Sequence, residues 1–319
     1  MESFNETCFH PSVFILLGIP GLENLHIWIS IPFCFILFSS IFGNYVVLLI
    51  IITDGSLHQP MYIFLSILAS IDLVLTSSTM PKLIAIFWFQ YNTIDFHTCL
   101  LQMFFVHGFS TTESGVFVAM AFDRYVAICY PLRYTTILSL SVVIKCGFLA
   151  LLRGILYILP LPLMALRFTE YRSNVIVHSY CEHMAVLRLA CGDITTNDLI
   201  GITIGFLVLI MDSLLIILSY AMILQALLRV TIEARRKSFG TCISHVCAIL
   251  AFYIPILTSS LVHRFGKNVP HSIHILLANS YLLVPPMLNP LVYGIRAKQI
   301  RQKVVKAILF QGLKSNYQL

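Results

Sequence analysis

The chain has 319 residues, of which 58% are hydrophobic and 11% are charged, and its formal net charge is +6 at pH 7. A soluble chain of this length would carry about a quarter charged residues, so the composition excludes an ordinary soluble domain and predicts a membrane protein. The positive charge does not indicate nucleic-acid binding, because the Lys and Arg residues are not gathered into one basic patch.

The N-terminal segment, residues 1–26, contains neither Lys nor Arg and has no apolar run long enough to cross a bilayer. Because the basic flank is missing, this segment does not have the pattern of a cleavable signal peptide. Asn5-Glu6-Thr7 matches the glycosylation sequon and predicts a glycan on Asn5 if the N-terminus is extracellular. A chance match to the sequon is the alternative.

Seven apolar segments follow, and each is long enough to cross a hydrocarbon core of about 30 Å. The predicted spans are residues 27–52, 59–86, 97–134, 141–164, 197–228, 238–263 and 271–294. Residues 296–310 then alternate basic and apolar side chains, which is typical of an amphipathic helix on an anionic inner leaflet. We therefore expect an all-α membrane protein with an N-terminal segment (1–26), a seven-helix bundle (27–294), and an amphipathic helix with a cytoplasmic tail (295–319).

The third span carries polar residues along one face of an otherwise apolar helix. In helical conformation Cys99 and Arg124 would lie roughly 37 Å apart, which exceeds the hydrocarbon core and puts them at opposite faces of the membrane. A polar stripe between these ends should face protein or water rather than lipid. The stripe comprises His107, Ser110, Thr111 and Ser114.

Charged residues inside the spans are candidates for functional roles, because an isolated charge in a bilayer is costly. Asp72 lies near the middle of the second span, Glu113 near the middle of the third, and Asp212 within the fifth. Arg153 lies in the fourth span, and Glu113 is one candidate for its partner.

The segment between the fourth and fifth spans, residues 165–196, is too long to be a simple connection. Its imidazole, thiol and carboxylate groups stand at short spacing and could ligate a metal ion. The groups concerned are His178, Cys181, Glu182 and His183. If Cys181 forms a disulfide bond, it is not available as a thiolate ligand.

The distribution of basic residues sets the orientation. Most of the 20 Lys and Arg residues lie on the side that holds Arg124, Arg235 and the C-terminal tail, and such an excess marks the cytoplasmic face. An odd number of spans then places the N-terminus outside, in agreement with the sequon. We expect a multi-pass protein of the plasma membrane.

Short motifs occur in nearly every span, at residues 43–44, 57–62, 120–129, 219–220, 237–245 and 286–293. Together they resemble the motifs of the rhodopsin-like G-protein-coupled receptors, and within them the olfactory receptors. Three further stretches, residues 105–107, 178–183 and 262–265, are similar to the fish-like class I branch. This resemblance implies a seven-helix receptor, and the class I branch is associated with polar, often carboxylic-acid odorants.

The resemblance also implies a disulfide bond between Cys99 and Cys181, which fastens the long loop over the bundle. Both residues are expected on the extracellular side, where disulfide bonds persist. The family usually adds a second bridge within the loop. Here Tyr171 occupies the expected partner position, so Cys191 is either free or paired with Cys8.

The ligand site is expected in the outer third of the bundle. His107 lies about 12 Å inward of Cys99 along the helix, and Arg264 lies at the outer end of the sixth span with Ser260 one turn deeper. An acid held between Arg264 and His107 would gain charge-assisted hydrogen bonds, and in similar class I receptors the matching arginine and serine are implicated in holding acids. The predicted ligand-binding residues are Phe104, His107, Ser110, Thr111, Ile256, Leu257, Ser260 and Arg264. The alternatives are an Arg264 that extends to lipid headgroups and a His107 that is satisfied by neighbouring helices.

Two further sites follow from the resemblance. Asp123-Arg124-Tyr125 resembles the G-protein switch, in which the arginine either pairs with Asp123 or turns into a cytoplasmic cleft. Further residues expected to take part in the switch are Tyr220, Asn289, Pro290 and Tyr293. Asp72 and Glu113 resemble a mid-membrane cation site, where two acids hold a sodium ion or share a proton.

The sequence therefore predicts an odorant receptor that binds a small carboxylic acid and activates a stimulatory, olfactory-type G protein, with no cofactor apart from the candidate sodium ion. The alternatives are a class I receptor for non-acid polar volatiles and a transporter. A transporter should show inverted repeats or paired broken helices, and we find no such symmetry. An enzyme is not expected, because the scattered serines and histidines have no triad arrangement.

Overall fold

The computed structural model describes residues 8–22, 25–229, 231–265, 269–296 and 300–303, and long helices dominate these ranges. In chain order the helices are α1 (His26–Thr53), α2 (Pro60–Phe89), α3 (Phe96–Cys129), α4 (Tyr134–Ile137), α5 (Leu140–Ile158), α6 (Pro160–Ala165), α7 (His183–Leu187), α8 (Thr195–Leu227), α9 (Ile232–Phe265) and α10 (His271–Arg296). The predicted glycosylation site at Asn5 and the C-terminal segment after residue 303 lie outside the described residues.

These helices form seven membrane crossings. Six segments are long and apolar enough to span a bilayer, namely His26–Thr53, Pro60–Phe89, Leu140–Ala165, Thr195–Leu227, Ser238–Val262 and His271–Tyr293. The seventh crossing is α3, after which Pro131–Ile137 turns away by 115°. The predicted seven-helix architecture is confirmed, but the third span ends at Cys129 rather than near residue 134, because Pro131 lacks the N–H that a continuing helix needs.

Helix α3 lies at the centre of the bundle and packs against α2, α5 and α8. Its N-cap residue is Asp95, whose carboxylate accepts hydrogen bonds from the backbone N–H groups of His97 and Thr98 at 2.9 and 3.1 Å. Its contact with α5 is unusually close. A Cβ atom added to Gly154 would lie 2.3 Å from Oγ1 of Thr112, so only glycine allows this approach.

The buried apolar side chains form two main clusters, one in each half of the bundle. The extracellular cluster includes Phe14, Met103 and Tyr180, and the cytoplasmic cluster includes Phe117 and Phe252. Large apolar side chains on the outer faces of the helices are exposed and would contact lipid tails. The bundle therefore buries its polar groups inside, as a lipid environment requires.

A small three-stranded sheet covers the extracellular end, and the sequence did not predict it. Strand β1 (Val13–Leu16) lies in the middle, antiparallel to β2 (Thr93–Asp95) and parallel to β3 (Val175–Ile176). The sheet joins the N-terminal segment to the loop before α3 and to the long loop before α8. Three separate parts of the chain are thus held together above the bundle.

Two disulfide bonds fasten the same region. Cys99 is bonded to Cys181, the pair that the family resemblance implies, and Cys8 is bonded to Cys191. The second bond decides between the two alternatives for Cys191. Tyr171 takes the place of the usual cysteine and is completely buried, with its ring against Phe14.

On the cytoplasmic side, residues 300–303 are helical and lie against the first intracellular turn. Lys303 forms an ion pair with Asp54 and donates a hydrogen bond to the Ser56 hydroxyl at 3.1 Å, while Ile300 is buried. The start of the predicted amphipathic helix therefore has one apolar and one charged contact with the bundle.

Candidate ligand site and cytoplasmic switch

Residues 178–183 of the long loop lie inside the outer end of the bundle. Ser179, Tyr180 and Cys181 are completely or almost completely buried, and His183 is 5% exposed. The Ser179 hydroxyl donates to Oδ1 of Asn279 on α10 at 2.8 Å. The segment is therefore a plug that enters the bundle rather than a loop that lies over it.

Gln102 holds this plug in place, although the sequence analysis did not single it out. Its amide nitrogen donates to the Ser78 carbonyl oxygen of α2 at 2.9 Å, and its amide oxygen accepts from the N–H of Cys181 at 3.0 Å. Gln102 thus links α2, α3 and the loop through a single buried side chain. The available signal was an amide on an apolar helix one turn after Cys99.

His107 lies beside the plug. Its Nε2 atom is buried and has no hydrogen-bond partner among the described residues. The ring is close enough to Glu182 and His183 to interact electrostatically with both. His107, which the sequence placed in the ligand site, therefore faces two polar residues of the loop.

Glu182 and His183 begin the short helix α7. The Glu182 carboxylate accepts a hydrogen bond from the backbone N–H of Ala185 at 2.7 Å. Burial alone would raise the pKa of Glu182, but the His178 and His107 rings and the Ala185 N–H outweigh burial and leave the pKa below its ordinary value. Burial lowers the pKa of His183 to about 4. At neutral pH the carboxylate is therefore charged and the His183 ring is neutral.

The metal site considered for this loop is not formed. In the part of the chain that the structure describes, no group of three or more His, Cys, Asp or Glu side chains is arranged to hold a metal ion. Cys181 forms a disulfide bond with Cys99 and is therefore not available as a thiolate ligand.

Helix α8 adds two features to the same region that the sequence did not reveal. A Cβ atom on Gly201 would lie 3.0 Å from Cε1 of His183, so the glycine leaves room for the ring. Asn197 lies one turn earlier on the same face, and its buried Nδ2 atom has no described partner. The Nε2 atom of His183 is also buried without one. Unpaired buried polar atoms are costly unless water or a ligand satisfies them.

The other predicted ligand residues have different surroundings. Phe104 and Ile256 are half-buried, whereas Leu257 and Ser260 are exposed. Ser110 and Tyr180 of the plug both lie close to the Tyr281 hydroxyl of α10. Thr111 uses its hydroxyl within its own helix, donating to the His107 carbonyl oxygen at 2.8 Å. The Arg264 side chain lies outside the described part of the structure, although its backbone continues α9.

A polar network in the middle of the membrane corrects the candidate partner of Arg153. Its guanidinium group donates to both carboxylate oxygens of Asp212, at 2.6 and 2.8 Å, and not to Glu113. Ser114 donates to the same carboxylate at 2.5 Å and shares a hydrogen bond with the Tyr253 hydroxyl at 2.7 Å. The network connects α3, α5, α8 and α9.

Asp72 and Glu113 come together around one amide. The Asn289 side-chain nitrogen donates to the Asp72 carboxylate at 3.0 and 3.3 Å and to Glu113 at 3.3 Å, and all three side chains are buried. Two buried carboxylates this close repel one another unless a proton or a cation is shared. The oxygen donors, including the unpaired Oδ1 of Asn289, suit a hard cation such as sodium.

At the cytoplasmic end, the predicted switch residues are bound to one another and to neighbouring side chains. The Arg124 Nε donates to Asp123 at 3.0 Å, and the Tyr134 hydroxyl donates to the other oxygen of the same carboxylate at 2.7 Å. The Tyr220 hydroxyl is 2.7 Å from Nδ1 of His245, which brings α8 and α9 together. Arg124 therefore pairs with its neighbour instead of extending into a cytoplasmic cleft.

Tyr293 stands apart from these contacts. Its hydroxyl is buried near the switch and has no described partner. A buried hydroxyl without a partner is available to form a new hydrogen bond if the helices rearrange.

Comparison with known proteins gives consistent matches over almost the whole chain. The family model described as olfactory receptor matches residues 33–311. Human olfactory receptor 52K1 is 54% identical over 308 residues, covering 96% of this chain and 98% of that protein. Human olfactory receptor 51E1 is 49% identical, covering 92% of each chain, and rat olfactory receptor 51E2 is 47% identical, covering 93% of each.

Proposed function

The chain belongs to the olfactory receptor family, and we propose that this odorant receptor recognises a small carboxylic acid in the outer third of its bundle and activates a stimulatory G protein. Members of the family are G-protein-coupled receptors of the plasma membrane that span it several times, and not enzymes. The ligand class and the type of G protein are the parts that we propose.

The observation that supports the ligand site most directly is the unpaired, buried Nε2 atom of His107. A buried ring nitrogen without a partner is costly, and a ligand oxygen or hydroxyl would remove that cost. His183 and Asn197 offer further unpaired polar atoms on the loop and on α8. A small ligand with one polar head and an apolar tail fits this combination of polar atoms and neighbouring aromatic side chains.

The carboxylic acid is favoured by the position of Arg264 at the outer end of α9. Arginine presents a planar set of donors that matches a carboxylate in two hydrogen bonds. His107 lies about 12 Å inward of Cys99 along α3, a depth suited to a short acid whose tail continues toward half-buried residues such as Phe104 and Ile256.

A non-acid polar volatile is the second candidate, and the charge of Glu182 favours it. An ionised carboxylate beside His107 accepts hydrogen bonds and repels a second carboxylate. A small alcohol would donate to that carboxylate or to a ring nitrogen without adding a negative charge.

Signalling would follow from a shift between two arrangements of the cytoplasmic end. The closed arrangement contains the contacts of Arg124 and Tyr134 with Asp123. A ligand activates only to the extent that it binds the open arrangement more tightly than the closed one. The network of Arg153 and Asp212 lies between the two ends and contacts four helices, so it is suited to couple them.

The experiment is a panel of straight-chain acids, alcohols and aldehydes of graded length, applied to cells that express the receptor with a stimulatory, olfactory-type G protein. We expect cyclic AMP to rise most strongly with acids. The variant Arg124→Ala should abolish this response while the receptor remains at the cell surface. A response to alcohols alone would replace the acid by the second candidate, and ligand uptake without cyclic AMP would indicate a transporter.

A further inference from the structure

Among the described residues of the long loop, Glu182 is the carboxylate that interacts with His107. Its backbone lies directly after Cys181, which is fixed by the disulfide bond to Cys99 and by the hydrogen bond to Gln102. Its side chain is held by the Ala185 N–H at 2.7 Å. The carboxylate is therefore fixed in position at the edge of the proposed ligand site.

Titratable groups from several elements face this carboxylate. His178, Tyr180 and His183 belong to its own loop, His107 to α3 and Tyr281 to α10. From α8, Asp198 acts on the His183 ring. Within the described residues, the groups that face Glu182 are thus imidazoles and phenols.

The charge balance of the site follows from these neighbours. Glu182 contributes one negative charge at neutral pH, because the pKa of its carboxyl lies below the ordinary value, whereas His183 is neutral with a pKa of about 4. An incoming carboxylate would bring a second negative charge close to the charged Glu182, and the two would repel one another.

We propose that Glu182 sets the charge form of the ligand, so that a carboxylic acid binds together with one proton taken from solvent. The proton lies between a ligand oxygen and Nε2 of His107 or His183, both of which are buried without a described partner. Free receptor, free carboxylate and one proton give the complex, and no covalent bond changes. This inference rests on the proposed acid ligand and adds the proton to it.

The first test uses the unmodified receptor. Because one proton is taken up on binding, the half-maximal concentration of a straight-chain acid should rise about tenfold for each unit of pH between 6.5 and 8, where the free acid is already ionised. The primary alcohol of the same length should show no such slope. An equal slope for both ligands would mean a general effect of pH on the receptor and would overturn the inference.

The second test removes the charge of the loop. Glu182→Gln keeps an oxygen that can accept the Ala185 N–H, but a carboxylate ligand then needs no extra proton. We expect the response of the Glu182→Gln variant to the acid to become independent of pH. The half-maximal concentration of the acid at pH 8 should be at least tenfold lower for this variant than for the unmodified receptor. Glu170→Gln is the matched control, since Glu170 is an exposed carboxylate of the same loop, and it should keep the slope of the unmodified receptor.

The outcomes separate this inference from the proposed function. If no acid activates the unmodified receptor at any pH, the acid ligand itself is wrong. If acids activate it with a half-maximal concentration that does not depend on pH, the acid ligand stands and the role of Glu182 is wrong. Should Glu182→Gln fail to reach the cell surface, the comparison of acid and alcohol in the unmodified receptor still decides the question.

Discussion

Arg153 and Asp212 form a two-point ion pair in the middle of the membrane, with the guanidinium nitrogens 2.6 and 2.8 Å from the two carboxylate oxygens. The Asp212 side chain is 1% exposed, and its carboxylate also accepts a hydrogen bond from the Ser114 hydroxyl. The Arg153 guanidinium group also donates to the Thr111 carbonyl oxygen. The pair lies between the candidate ligand site and the predicted cytoplasmic switch, and Arg153 contacts the ligand site through Thr111.

Breaking this pair should destabilise the receptor strongly. Asp212→Asn leaves the Arg153 charge without its partner in a region of low polarity, and we expect a loss of about 3–5 kcal/mol of stability. The measurements are surface expression and the melting temperature of the solubilised receptor. The second change Arg153→Met in the same chain should restore much of the expression, whereas Glu233→Gln, at an exposed carboxylate, should change neither quantity. A normal melting temperature for Asp212→Asn would contradict the prediction.

Arg264→Ala should weaken the response to acids. Loss of a hydrogen bond to a charged group costs about 1.5–3 kcal/mol, so the half-maximal acid concentration should rise by roughly tenfold to a hundredfold. Arg264→Lys should recover only part of the loss, because an ammonium group lacks the planar pair of donors. Arg167→Ala, at an exposed arginine on the same side of the membrane, is the control. An undiminished response at equal surface expression would remove Arg264 from acid recognition.

Tyr134→Phe should raise signalling in the absence of ligand. The Tyr134 hydroxyl donates to Asp123 at 2.7 Å, and this bond stabilises the closed arrangement in which Asp123 also binds Arg124. Its loss should increase basal cyclic AMP several-fold, since a bond to a charged group contributes about 1.5–3 kcal/mol. Tyr130→Phe is matched in chemistry and exposed, and we expect it to leave basal signalling unchanged. Equal basal signalling in the two variants would refute this role for Tyr134.

Sodium should act through Asp72 and Glu113 if the two acids hold a cation rather than a proton. Replacing external sodium by choline should then raise basal cyclic AMP, because a cation among α2, α3 and α10 stabilises the closed arrangement. In the Asp72→Asn variant, the exchange of sodium for choline should have no effect on basal cyclic AMP. If neither basal nor ligand-induced cyclic AMP in the unmodified receptor changes when sodium is replaced, a proton shared by the two acids is favoured instead.

Removal of the bond between Cys8 and Cys191 should lower the stability of the extracellular end. A disulfide bond that closes a long loop contributes about 2–4 kcal/mol, so Cys8→Ser and Cys191→Ser should each reduce the melting temperature. The double variant should be no worse than either single one, because one bond is lost in every case. Cys34→Ser removes a free cysteine and serves as the control. Unchanged melting of both single variants would argue against the bond.

The membrane spans could be predicted because long apolar runs are a direct consequence of the thickness of the bilayer. The partner of Arg153 could not be predicted, because Glu113 and Asp212 both lie in other spans than Arg153. The rotation of each helix about its axis decides which of them meets the arginine. The strands β1, β2 and β3 have only four, three and two residues, too few to show an alternating pattern. Gln102 and Asn197 were missed because an isolated amide on an apolar helix has no distinctive spacing.

The link from Cys8 to Cys191 bears on how the receptor is made. The two cysteines are separated by 183 residues, so the bond cannot close until the ribosome has produced the chain up to the start of the fifth span. Until then Cys8 remains a free thiol in the oxidising lumen of the endoplasmic reticulum, while the first four spans are already made.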